Sequence, residues 1–162
     1  MTGEPIAIWG VDWLWSLPLI SLTVVIHVFG LNFIRLRNER VMRHIRGRRF
    51  SSQLVRMSIG GAALSVTVLH GLEGFLWAIA FQILGALPDR RTAMLYSLNA
   101  MTSYGHVSVE LGRRWQLMGA LESLNGWILF GMSTAFLFGL VQEVWSQTSE
   151  RVVNNLELGS VR

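Results

Sequence analysis

The sequence predicts an all-α membrane protein. Three transmembrane helices are expected, with a short helix and a polar loop between the second and third that enter the bilayer and leave on the same side. Three observations lead there. Half of the 162 residues are hydrophobic, 51%, and only 15% are charged, against about a quarter charged in an ordinary soluble domain. The apolar residues collect in three runs, each long enough to cross a ~30 Å hydrocarbon core with ~20 residues at 1.5 Å per residue. The polar stretch between the second and third runs, residues 84–114, carries helix signals of its own.

The first run extends from about Val11 to Phe33, with Trp9, Trp13 and Trp15 crowding its start in the manner of an interfacial aromatic belt. It is too long for a signal-peptide core and no basic segment precedes it, so it reads as a span. The segment IRLRNERVMRHIRGRRFSSQLVR follows, with Arg35, Arg37, Arg40, Arg43, Arg46, Arg48, Arg49 and Arg56 against the single acid Glu39. All 14 basic residues of the chain are arginine, and this cluster marks a cytoplasmic loop by the positive-inside rule. Arg37, Arg40, Arg43 and Arg46 stand three apart. They suit either a solvated topology anchor or a helix lying on anionic lipid.

The second span is expected from about Met57 to Ile83, where Gly60, Gly61, Ala62, Ala63 and Ser65 permit close helix approach. The segment GALPDRRTAMLYSLNAMTSYGHVSVELGRR then turns polar. Asp89 after Pro88 is a helix N-cap, and RTAMLYSLNAM is a helix too short to span. The third span runs from about Trp115 to Trp145, and the tail SQTSERVVNNLELGSVR reads as polar and frayed. The expected units are an N-terminal span in 1–36, an arginine-rich cytoplasmic loop in 37–56, a two-span unit in 57–142 holding the re-entrant loop 88–110, and a cytoplasmic tail in 143–162. The N-terminus is then outside and the C-terminus inside, in a plasma (inner) membrane.

Irregular backbone at membrane depth survives only when buried in protein or lining a water-filled cavity. A half-helix whose C-terminal end points inward favours a cation there, and the carbonyls of a following strand can replace an ion's hydration shell. The plan of span, short helix, NAMTSYGHV and span resembles the tetrameric potassium-channel superfamily, whose filter reads T-V-G-Y-G-D. HGLEGFLWA, GALPDRRTAMLYSLNAMT and LMGALESLNGWILFGMSTAFLFGLVQ resemble small bacterial ion-channel-domain membrane proteins with one extra N-terminal span; the likeness covers roughly residues 12–142. Aligned on Tyr104 and Gly105, the resemblance implies a filter of Met101, Thr102, Ser103, Tyr104, Gly105 and His106. A shifted alignment takes Thr102 as the filter threonine with one residue deleted. Ser103 in a glycine place of such a filter costs of order 1–2 kcal/mol.

Polar residues inside the spans complete the list of candidates. His70 and Glu73, three apart, share one helix face. With Glu122 they are expected either to support the filter or to make separate packing contacts; a metal site with ligands from neighbouring helices is the further reading of His70 and Glu73. Ser133 and Thr134 line an inner cavity or bond back to their own helix carbonyls. Gly126 and Gly131 are candidate hinges. His27 and Asn32 read as packing or interface groups, and His44 as a surface residue. Trp77, Trp115 and Trp145 fit interfacial belts. Four copies of His106 would form a ring charging near a reference pKa of about 6.5, or else stand idle at the surface.

The resemblance implies a homotetrameric cation channel of the potassium-channel type with an atypical filter, altered in selectivity or non-selective among monovalent cations. The alternative is a non-conducting scaffold or regulatory subunit. A third reading is a metal or redox protein using His27, His70 and His106. No cysteine is present, which excludes disulfides and thiolate sites. No Ser/His/Asp arrangement or phosphate loop occurs, so no enzyme is expected. The expected partners are further copies of the chain, the bilayer and anionic lipid at the arginines, not nucleic acid. No cofactor is expected beyond a permeant K+ or Na+ ion in the filter.

Overall fold

A computed structural model describes residues 7–46, 52–105 and 109–160. They form α1 (Ala7–Arg46), α2 (Ser52–Ile83), α3 (Arg90–Thr102), a 3-10 turn (Arg113–Trp115) and α4 (Gln116–Ser160), with no strand among the described residues. Three helices are long and apolar enough to cross a membrane: Gly10–Arg43, Gln53–Ile83 and Arg113–Ser146.

The helices outrun the expected spans. α1 continues through Arg35, Arg37, Arg40, Arg43 and Arg46, and α2 begins before Arg56. The arginine-rich stretch is therefore mostly helix, and only 47–51 lie outside the described residues. The tail expected to fray is helical to Ser160. At 1.5 Å per residue, the 40 residues of α1 measure about 60 Å and the 45 of α4 about 68 Å, twice the hydrocarbon thickness. Arginine and glutamate are good helix formers, and Arg35 Nε bonds Glu39 Oε1 at 3.0 Å one turn on.

α3 is the short helix expected from the sequence. Asp89 caps it in extended backbone geometry. Its carboxylate accepts from the Thr92 N–H at 3.0 Å and from the Thr92 hydroxyl at 2.6 Å. These two hydrogen bonds, the hydroxyl's first, hold the Asp89 carboxyl below its ordinary range. The other end closes as a Schellman motif: Tyr104 N–H bonds Asn99 O and Ser103 N–H bonds Ala100 O, each at 3.1 Å. Ser103 takes the left-handed place at φ 53°, where glycine is usual.

α1 packs against α2 and α4, and α3 packs against the same two helices. Two apolar clusters result. One joins Trp77 and Phe81 of α2, Ala93, Tyr96 and Ala100 of α3, and Trp115 and Met118. The other joins Leu31 and Ile34 of α1, Val66 and Leu69 of α2, and Leu140 of α4. Trp77 and Trp115 are thus core residues, 0% and 8% exposed, and not interfacial anchors; only Trp145 of the three is on the surface. Their indoles fill the space that α3 creates between α2 and α4.

Candidate functional site

A polar layer separates the two apolar clusters along the spans. Every long helix contributes: Thr23 and His27 from α1, His70 and Glu73 from α2, Asn125 and Ser133 from α4. His27 and Glu73 are fully buried and Ser133 is 4% exposed. Charged and polar groups are costly at such depth and persist where they pair or act.

The layer's centre is a closed ring of four side chains. His27 Nδ1 meets Glu73 Oε1 at 2.8 Å. His27 Nε2 meets Ser133 Oγ at 3.0 Å, and the same oxygen meets His70 Nε2 at 3.0 Å. His70 Nδ1 stands 3.4 Å from Glu73 Oε2, which has no hydrogen-bond partner. The two imidazole centroids are 5.1 Å apart. Ligand atoms of His27, His70 and Glu73 all fall within 4.8 Å of one another, a spacing that can hold a metal ion. Beside the ring, Asn125 Nδ2 donates to Thr23 Oγ1 at 2.9 Å, and Thr23 donates onward to its own helix at Leu19 O.

The ring reaches the surface at one point. The His70 side chain is 26% exposed and lines an open groove of about 380 Å³ with Thr67, Met101, Thr102, Trp127 and Phe130.

The filter candidates lie at the end of α3. Met101 and Thr102 are its last residues and are helical; Thr102 Oγ1 bonds Leu98 O at 2.7 Å. Non-helical backbone therefore starts at Ser103. Tyr104 is exposed, and Gly105 has φ 95°. Trp127 Nε1 donates to Ser103 Oγ at 2.8 Å, which ties this corner to α4. His106 lies outside the described residues.

The remaining candidates separate. Glu122 is fully buried beside Ser97 of α3 and distant in partners from the His27–Glu73 ring; neither of its oxygens has a well-formed hydrogen bond. Glu73 and Glu122 thus make separate contacts. Ser133 faces His27 and His70, whereas Thr134 is exposed and bonds back to Phe130 O at 2.9 Å. Gly126 and Gly131 interrupt nothing, since α4 is continuous across both. Gly126 instead lets the backbone of Met101 approach α4.

Sequence reasoning placed His70 with Glu73 and read His27 as a packing or interface group, or as a metal or redox residue with His70 and His106, without pairing it to Glu73. A polar stripe at Asp12, Ser16, Thr23 and His27, spaced four, seven and four residues, marks the buried face of α1. That stripe was the available signal for His27. No protein-family model, curated protein or solved structure matches the chain.

Proposed function

We propose that the chain is one subunit of an oligomeric cation pore, a homotetramer of the potassium-channel type, with α3 as a re-entrant helix. The carrying observation is the position of the α3 C-terminus. Met101 backbone atoms lie against Gly126 of α4 and the Met101 side chain against Gly74 of α2. Counted at 1.5 Å per residue, Gly126 is about 20 Å along from Arg113, and Gly74 about 14 Å from Ile83. A helix that enters beside the ends of two spans and stops against their middles has its negative dipole end at membrane depth, where it favours a cation.

The chain turns through Ser103 and leaves the helix at Tyr104–Gly105, where backbone carbonyls of several copies would face a common axis. The large apolar side chains exposed on α4, among them Leu124, Trp127, Phe130 and Phe138, suit contact with lipid or with a neighbouring copy. The orientation that fits has the arginine-bearing ends of α1 and α2 in the cytoplasm against anionic lipid, and the permeant ions are monovalent. Reconstitution into liposomes with potassium, sodium and calcium flux assays tests the reading; monovalent flux is expected.

The helical, capped state of Met101–Ser103 favours a second reading, a non-conducting channel-like subunit, because it takes those residues out of any extended filter. Absence of flux for every ion in a correctly assembled oligomer selects that reading.

A further inference from the structure

We propose that His27, His70 and Glu73 bind one divalent transition-metal cation of the zinc class, with Ser133 holding both imidazoles from their far side. The inference does not depend on whether the protein conducts.

The ring has four contacts: Glu73–His27, His27–Ser133, Ser133–His70 and His70–Glu73. With the carboxylate ionised and both imidazoles neutral, it holds three protons, one on each ring and one on the hydroxyl. One contact must lack a proton. The distances say which: the 2.8 Å His27–Glu73 contact takes one, and the direction of donation then runs from His70 Nε2 to Ser133 and from Ser133 to His27. His70 Nδ1 and Glu73 Oε2 are left 3.4 Å apart with lone pairs facing each other, and Glu73 Oε2 is a fully buried atom without a partner. A buried acceptor pair of this kind is incomplete until a cation enters.

Its span fits a metal. Zinc binds imidazole nitrogen at about 2.0–2.1 Å and carboxylate oxygen at about 2.0–2.2 Å in tetrahedral geometry. An N–Zn–O angle near 109° with those bonds separates the two donor atoms by ~3.4 Å, the observed separation. His27 Nδ1 then supplies a third ligand by changing tautomer: the Nδ1 proton leaves and Nε2 takes one up, so the imidazole stays neutral and no net proton is released. Both histidines thereby carry their proton on Nε2.

Ser133 completes the case independently. Its oxygen lies 3.0 Å from each Nε2 and has two lone pairs. In the metal-bound state it accepts both N–H groups at once, the outer hydrogen bonding that fixes ligand histidines. Without metal it must accept from one ring and donate to the other.

The donor set selects the ion class. Two imidazoles and one carboxylate suit zinc, cobalt or nickel, whereas magnesium and calcium take oxygen ligands and cuprous ion takes sulfur. Three protein ligands leave one position open, as in sites that exchange their fourth ligand. The groove at His70 offers the route in.

The test is cobalt titration of the purified full chain in detergent at neutral pH. One Co2+ per chain is expected, with the visible absorption of a tetrahedral ion, displaced by Zn2+ and lost in acid because the ligands bind the metal only when deprotonated. Glu73→Gln and His27→Gln should abolish the band, Ser133→Ala should weaken binding about 10–100-fold, and His44→Ala should retain it. Zinc should also slow carbethoxylation of His70 in the unaltered chain, a readout that needs no variant to fold. The proposal is overturned if the wild-type chain takes up neither ion, if uptake survives Glu73→Gln, or if zinc leaves His70 unprotected. A ring that accepts only a proton would give the first of these results.

Discussion

The backbone of Met101 rests directly on Gly126. A Cβ at position 126 would overlap the Met101 carbonyl oxygen and Cα, atoms that cannot swing aside as a side chain end can. Gly126→Ala should therefore push the end of α3 away from α4 at a cost of about 1–3 kcal/mol, the usual range for overpacking. Gly131, with open space around it, is the control. Gly131→Ala should keep or raise stability, since alanine is the better helix former by about 1 kcal/mol. Thermal unfolding in detergent separates the two, and equal losses would contradict the packing described.

Ser103 combines a penalty and a bond. Its left-handed backbone costs of order 1–2 kcal/mol, while its hydroxyl receives the Trp127 indole N–H at 2.8 Å. Ser103→Gly removes both and should leave stability within about 1 kcal/mol of the parent. Ser103→Val adds a branched side chain and loses the bond, so a clear drop in melting temperature is expected. A stabilising valine would disprove the Schellman closure.

Asp89 gives the loop a defined pH response. Its folded-state pKa is lowered by the Thr92 hydroxyl and N–H, so its contribution is complete above the unfolded value near 3.9 and lost as pH falls through the lower folded value. Hydrogen exchange at the Thr92 amide should stay slow at neutral pH and quicken only in strong acid. Asp89→Ala should make it fast at all pH values, and Asp89→Asn, which keeps an acceptor, should not.

The Asn125–Thr23 bond joins α4 to α1 across 102 residues of sequence. Hydrogen bonds between membrane helices average about 0.6 kcal/mol. A double-mutant cycle with Asn125→Ala and Thr23→Ala should return a coupling of that order, and additive losses would remove the bond from the account.

What the sequence disclosed and what it hid follow one physical line. Local chemistry was legible. The Asp89 cap, the short helix behind it and the shared face of His70 and Glu73 are all set by residues within one turn of each other. Contacts across helices were not. His27 meets Glu73 from 46 residues away and Ser133 from 106, and only the packing of α1 against α2 and α4 decides that pairing. The same limit misplaced Trp77 and Trp115. An indole near the end of an apolar run belongs at an interface unless another helix arrives to cover it, and α3 does so. The arginine stretch was read as a loop because charge ends a span; it does not end a helix.

α1 runs unbroken from Ala7 to Arg46, so the imidazole of His27 and the arginines toward its C-terminal end belong to one continuous helix. A sideways shift of that charged end would be carried toward the buried ring, because no helix break lies between it and His27.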